Sequence, residues 1–203
     1  MLNSGFVSAL RESLAFVVSD PDAAIKAITD RYSSARTLLA ADFEMLSDIP
    51  ELGEQGAYFI RVAFALAARR VTDGFRFGRA HTEEEILDYF KALFLTETDE
   101  AVYCMFFDEA ERPIACEFIN EGTVSTASVL PRKILEVAIK KRAAGIIIAH
   151  NHPAGVADTS IEDITATERI SSIFRSSGKR VICHYVISGD QHSKIDCQRR
   201  IKY

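Results

Sequence analysis

A continuous apolar run at residues 145–149 constrains the fold of this 203-residue chain more than any other feature. The run, Gly-Ile-Ile-Ile-Ala, is short and carries no polar side chain, which is typical of a strand that is buried on both faces. A helix that begins at Pro131 is predicted before this strand, because proline suits the first turn of a helix. A second helix is predicted after it, beginning at residues 159–160 and ending at Gly178. Because strands alternate here with helices, the pattern predicts an α/β or α+β domain.

The remaining elements divide the chain into two parts. Residues 1–75 carry apolar side chains at helical spacing and predict a helical module, whereas residues 82–203 predict the mixed domain. The segment 71–81 between them is expected to be a linker that lets the helical module move. A capping-box signature at Thr82 predicts a helix that runs to about Phe94. Further strands are predicted at residues 101–107, 114–119, 181–187 and 192–195, with one more after a turn at residues 122–123.

Residues 46–57 look like the turn of a helix-hairpin-helix module, in which backbone amides meet a DNA phosphate. That pattern has two glycines around an apolar residue. Here Glu51 stands at the position of the first glycine, whereas Gly53 and Ala57 match the pattern. Phosphate contacts need cations, but residues 1–75 hold 7 basic and 10 acidic side chains. We therefore expect helical packing or protein interaction from this module, and DNA binding is the disfavoured alternative.

Composition excludes several classes of protein. With 48% apolar and 26% charged residues, the chain can bury a core and is neither disordered nor fibrous. No apolar run approaches the ~18 residues of a membrane helix, and the N-terminus lacks the pattern of a signal peptide. The four cysteines form no Cys-x-x-Cys pair, so we expect reduced thiols in a cytoplasmic protein. The net charge of −5 does not favour nucleic acid as a partner.

Two histidines follow the buried strand directly and predict a metal site. His150 and His152 lie two residues apart at the end of a strand, so their side chains point to the same side. The first turn of the next helix then brings back Asp163. Two imidazoles and one carboxylate leave the fourth position of zinc to water, as in a catalytic site rather than a structural one. The pair Ser160 and Asp163 is also an ordinary helix-capping signature, which is the alternative role for Asp163.

The same segment resembles the motif of the JAB/MPN metalloproteases, known as JAMM proteins: His-x-His, seven residues, Ser, two residues, Asp. Residues 150–163 match this motif in type and spacing. The flanks resemble the RadC-like bacterial branch of that superfamily at Phe107-Asp108, Glu117, Gly122-Thr123, Pro131-Arg132 and Pro153. The chain departs from that branch at Ala154, Thr159 and Cys183, none of which removes a ligand.

The resemblance implies a JAB/MPN-like mixed sheet that is flanked by helices. It also implies hydrolysis of an amide or isopeptide bond, with a peptide or protein as substrate and zinc (Zn2+) as cofactor. His150, His152 and Asp163 would then be the zinc ligands. The physiological substrate does not follow from the resemblance.

Catalysis of this type also needs a general base. Glu117 lies five residues before Gly122, where the family places that glutamate, and Glu121 is the second candidate. An outward-facing strand position is the alternative for Glu117. Ser160 is expected to stabilise the oxyanion in addition to capping the helix.

Two other functions stay open at this point. One is a DNA-associated protein that binds nucleic acid through the helical module, and the other is a non-catalytic interaction scaffold, against which the intact ligands argue. His184 is expected to be a hydrogen-bonded core histidine rather than a site residue, while His81 and His192 are expected to be solvated. Neither His-Glu-x-x-His nor a deaminase signature nor a phosphate loop occurs.

Overall fold

The computed structural model describes residues 2–39, 41–95, 97, 99–121, 129–153 and 156–197. Its helices are α1 (Ser4–Leu14), α2 (Pro21–Arg31), α3 (Ala35–Leu39), α4 (Phe43–Ser47), α5 (Gly53–Gly74), α6 (Glu83–Phe94), α7 (Val129–Lys140) and α8 (Ile161–Ser176). Its strands are β1 (Ala101–Phe107), β2 (Pro113–Glu121), β3 (Gly145–Asn151), β4 (Arg180–Ser188) and β5 (Gln191–Asp196). The predicted mixed α/β class is confirmed. The strand predicted after residues 122–123 lies outside the described residues.

The described strands form one sheet in the order β2-β1-β3-β4-β5. The apolar run is the central strand β3, and all seven of its residues are buried. β3 pairs in parallel with β4, whereas the other neighbouring pairs are antiparallel. A parallel pair needs a crossover connection, which here contains α8. The chain runs from the carboxyl end of β3 into α8, so the first turn of α8 lies near that end of the strand.

Each face of the sheet has its own apolar core. On one face, Ile146 and Ile148 pack with Ile134 of α7 and Phe174 of α8. On the opposite face, the alternate residues of the same strands pack against α6. Because side chains alternate along a strand, His150 follows Ile146 and Ile148 onto the face that α7 and α8 cover.

Helices α1 to α5 have a separate core, which includes Leu14, Ile28, Leu46 and Ile60. α4 and α5 are joined by a tight turn that ends at Gly53, whose φ of +59° favours glycine. The turn resembles the predicted hairpin, and the prediction that it packs or binds protein rather than DNA stays untested. None of the described helices is both long and apolar enough to cross a membrane.

The predicted linker is partly wrong. α5 continues to Gly74, so the first four residues of the segment 71–81 are helical. The Phe75 ring then stacks on His81 at 3.9 Å between ring centroids, and the Gly78 backbone N–H donates to the Pro113 carbonyl at 2.7 Å. The His81 side chain is only 1% exposed, so its predicted solvation is also wrong. The Phe75 ring also packs on the Tyr89 ring of α6 at 4.5 Å between centroids, so the segment after α5 is held against α6 and β2.

Candidate metal centre

The end of β3 positions both predicted histidine ligands. His150 is its penultimate residue and is 2% exposed. His152 follows the strand, and its backbone N–H donates to the Ile187 carbonyl of β4 at 2.8 Å. The Ser188 hydroxyl donates to the His152 carbonyl at 2.8 Å. Backbone contacts with β4 therefore continue past the end of the strand and fix His152 beside His150, with Nε2 atoms 3.0 Å apart.

The first turn of α8 positions Asp163, and the structure shows why both predicted roles are compatible. Oδ2 of Asp163 accepts hydrogen bonds from the backbone N–H and the hydroxyl of Ser160, at 2.9 and 2.7 Å. The Ser160 hydroxyl oxygen in turn accepts the Asp163 backbone N–H at 3.0 Å, which completes a capping box. Oδ1 is left to face His150 Nε2 at 3.3 Å. One carboxylate oxygen thus caps the helix while the other faces the histidines.

The spacing of these three groups fits a bound metal ion. His150, His152 and Asp163 each offer one ligand atom, and the three atoms lie within 4.8 Å of one another. Ligands about 2.0–2.1 Å from a tetrahedral ion such as zinc lie about 3.3 Å from each other. His150 Nε2 lies 3.0 Å from His152 Nε2 and 3.3 Å from Asp163 Oδ1, and both distances are close to that edge length.

The protonation of the histidines also fits a metal site. His152 Nδ1 lies 3.0 Å from the Val156 carbonyl, which can only accept a hydrogen bond, so Nδ1 carries the proton. An imidazole whose one proton is on Nδ1 has its lone pair on Nε2, and Nε2 is the atom of His152 that faces His150. Burial lowers the pKa of His150 to about 4, although Asp163 opposes this shift. A ring that is neutral at physiological pH is the form that binds metal.

His184 lies behind His150 and was assigned only a core role from the sequence. It is fully buried, as predicted, and it is hydrogen-bonded. Its partners, however, are His150 Nδ1 at 2.8 Å and the Thr167 hydroxyl at 2.6 Å. Thr167 is not among the residues predicted for the site, although its position four residues after Asp163 places it on the same face of α8.

Asn151, between the two histidines, was also not predicted to have a role. Its side-chain oxygen accepts the Ala101 backbone N–H at 2.7 Å, and its amide donates to the Asp99 carbonyl at 3.1 Å. These contacts tie the end of β3 to the start of β1. Because a residue next to His150 on a strand points to the opposite face, Asn151 supports the site from behind.

Glu117, the predicted base, is not in contact with the three-residue cluster in this structure. In the register of the sheet, Glu117 lies opposite Cys104 of β1, and Cys104 lies opposite Ile148 of β3. Residues in register share a face of the sheet, and so do residues two apart on one strand. Glu117 therefore lies on the same face as His150. Its carboxylate is 44% exposed and lies 2.6 Å from Lys141 Nζ, just beyond α7. The base role of Glu117 stays a prediction.

The other sequence positions of interest are placed as follows. Glu121 pairs with Ala101 in the backbone register, and its side chain lies outside what the structure describes. Cys183 packs in the core on the α6 face, away from His150, so this departure from the motif does not touch the cluster. His192 is exposed on β5, as predicted.

A cleft lies beyond the end of β3, on the α6 side of the sheet. It is bordered by α6 and by the turn between β4 and β5, and His152 and Pro153 form part of its wall. Its other described lining residues include Lys91, Phe94 and Asp190. Of the three cluster residues, the half-buried His152 is the one that lines this cleft.

Comparison with known proteins gives one family. A model of the RadC-like JAB domain matches residues 80–198. A UPF0758 protein from Stutzerimonas stutzeri is 31% identical over 157 residues, which cover 77% of this chain and 70% of the relative. The UPF0758 protein lpg2489 of Legionella pneumophila is 31% identical over 172 residues, which cover 81% and 73% of the two chains. A UPF0758 protein of Thiobacillus denitrificans is 29% identical over 163 residues, which cover 80% and 73%.

Proposed function

The chain belongs to the RadC-like JAB domain family, and from this premise we propose that it is a zinc-dependent hydrolase of the JAMM type. The observation that carries the proposal is the convergence of His150 Nε2, His152 Nε2 and Asp163 Oδ1 within 4.8 Å. When bound, zinc supplies a Lewis acid that activates water for attack on a carbonyl carbon. The bond that we propose as the target is an amide or isopeptide bond.

The protein itself contributes orientation. Hydrogen bonds to Ser160 hold one oxygen of Asp163, so the other oxygen is presented to the cluster in a fixed direction. The helix N-terminus favours the charged carboxylate at this place. The Ser160 hydroxyl proton points to Asp163, so the proposed role of Ser160 in oxyanion stabilisation requires that this hydroxyl turns toward the substrate.

We propose Glu117 as the base that takes a proton from the attacking water. The strand spacing and the rise per residue place its Cα atom about 12 Å from that of His150. Glu117 is not among the three residues whose ligand atoms converge, so we assign its carboxylate to a water beside the cluster and not to the ligand set. To reach that water, its carboxylate has to leave Lys141, to which it is paired here.

The cleft beside His152 suggests where a peptide or protein substrate would lie. Its wall combines the apolar ring of Phe94 with the charged groups of Lys91 and Asp190. A mixed apolar and charged wall suits a peptide chain, which presents both kinds of group. The sequence of the substrate is not implied by these residues.

Metal content and cleavage test the proposal together. The purified chain should contain about one zinc ion, measured by plasma mass spectrometry. It should then cleave members of a peptide library that includes lysine isopeptide bonds, with the products detected by mass spectrometry. His152→Ala should lose both zinc and cleavage, because the exposed side of the cluster loses its ligand.

A matched variant makes this test specific. His192→Ala removes an exposed histidine on β5 and should keep both zinc and activity. A wild-type protein without stoichiometric zinc, or a His152→Ala variant that cleaves as fast as wild type, would contradict the proposal. Global unfolding of His152→Ala would instead indicate a structural metal site.

A further inference from the structure

A buried chain of hydrogen bonds runs from the first turns of α8 to the back of His150. The Thr167 hydroxyl lies 2.6 Å from the Asp163 backbone carbonyl and 2.6 Å from His184 Nδ1. His184 Nε2 lies 2.8 Å from His150 Nδ1. Thr167 is 1% exposed and His184 is fully buried, so water does not compete for these contacts.

The direction of every bond in this chain follows from its first member. A backbone carbonyl can only accept, so the single proton of the Thr167 hydroxyl goes to the carbonyl of Asp163. The Thr167 oxygen must then accept from His184, whose Nδ1 therefore carries a proton. Among the described residues, the polar partners of the fully buried His184 ring are the Thr167 hydroxyl and the His150 ring, and neither carries a negative charge that would compensate a cation there. With its proton on Nδ1, the ring offers Nε2 as an acceptor.

The same logic reaches the metal cluster. Because His184 Nε2 accepts, His150 Nδ1 must donate, so Nε2 is the atom of the His150 ring that is left for a metal ion. That atom faces His152 Nε2 at 3.0 Å and Asp163 Oδ1 at 3.3 Å. The helix that supplies Asp163 thus also sets the tautomer of His150, through Thr167 one turn later.

We propose that Thr167 and His184 are positioning residues, which hold His150 in the tautomer and ring orientation that present Nε2 to the metal. The inference rests on the proposed metal site and goes beyond it, because neither residue contacts the ligand position itself. Outer partners of this kind raise the affinity of a site, since the ligand ring no longer has to be ordered when the metal binds.

Zinc affinity of Thr167 variants tests the proposal. Thr167→Val keeps the shape of the side chain but removes the hydroxyl, so the tautomer of His184 is no longer dictated. We expect roughly 10–100-fold weaker zinc binding, the usual effect of losing an outer partner. Thr167→Ser restores the hydroxyl and should restore the affinity. Competition with a chromophoric chelator measures the affinity of the metal-free protein directly, without a substrate.

Thr165→Val is a matched control on the same helix. The Thr165 hydroxyl donates to the Ile161 carbonyl at 2.8 Å, so this variant loses the same kind of bond at an exposed position without a histidine. Its zinc affinity should equal that of wild type. Equal affinity of Thr167→Val and wild type would overturn the inference and leave the proposed function standing. A wild-type protein that binds no zinc would refute the proposed function.

The tautomers can also be observed directly. Long-range proton–nitrogen correlation spectra of the zinc-loaded wild-type protein with ¹⁵N-labelled histidine should show Nδ1–H in both His150 and His184, and a bare Nε2 in His184. A His184 ring protonated at Nε2 would overturn the inference, because it could not accept from His150 Nδ1. A change in global stability alone would not move this spectroscopic signature.

Discussion

Replacing Asp163 with asparagine separates the two roles that this side chain has in the structure. Its Oδ2 accepts two hydrogen bonds from Ser160, whereas Oδ1 faces His150. Asparagine keeps one oxygen for Ser160 and places an amide nitrogen, which has no free lone pair, at the second position. We therefore expect the start of α8 to remain intact while the metal ligand is lost.

The two effects have different sizes. Without metal, the variant loses a negative charge at a helix N-terminus, which costs about 0.3–1 kcal/mol. For a chain of this length, 1 kcal/mol shifts Tm by about 2–4 °C, so the metal-free variant should melt at most ~4 °C below wild type. Zinc at 100 times its Kd stabilises a binding protein by about 2.7 kcal/mol. Wild type should therefore gain about 5–11 °C with zinc, and Asp163→Asn should gain nothing.

Calorimetry in chelator and in buffered zinc measures both effects. Glu162→Gln removes the neighbouring exposed carboxylate of the same helical turn and should retain the full zinc-dependent shift. If zinc raises the Tm of Asp163→Asn as much as that of wild type, Asp163 is not a ligand. If the variant is destabilised far more than 4 °C in chelator, the capping argument is wrong.

Three further predictions address the base, the acid stability and the helical module. Glu117→Gln should keep its zinc while turnover falls by roughly 10²–10⁴-fold, measured on any substrate that the wild type cleaves; loss of zinc would make Glu117 a ligand instead. Hydrogen bonds from Lys194 and then Tyr185 lower the pKa of Glu83, so its contribution to stability is present above the unfolded pKa and is lost as pH falls through the lower folded pKa. The Tm difference between wild type and Glu83→Gln should thus shrink on acidification, and a constant difference would contradict this linkage. The acidic hairpin turn should bind duplex DNA no better than about micromolar at physiological salt, and nanomolar binding with a steep salt dependence in a fluorescence titration would refute this prediction.

Local patterns predicted most of the described fold. The period-2 and period-3.6 spacing of apolar residues located the strands β1 to β5 and the helices α6 to α8 to within a few residues. The linker was mispredicted because α5 continues through Val71 and Thr72, where the sequence carries no stop signal before Gly74. His81 was mispredicted because its burial depends on how the chain folds back after α5, which stacks the Phe75 ring on the His81 ring.

The three candidate ligands were determined by the sequence itself, for a local reason. Alternation along a strand puts His150 and His152 on one side, and the capping position of α8 orients Asp163. Spacing of this kind is set by backbone geometry over a few residues, so it can be read without knowing what lies around it.

Only the tertiary structure decided what stands behind and beside these ligands. His184 reaches His150 because β4 pairs in parallel with β3 in a register that sets His184 against Ile148. Glu117 faces Lys141 because β2 lies two strands from β3 and near the end of α7. Strand order and register depend on how two apolar faces pack across the whole sheet, and no spacing along the chain encodes which residues from distant segments then meet.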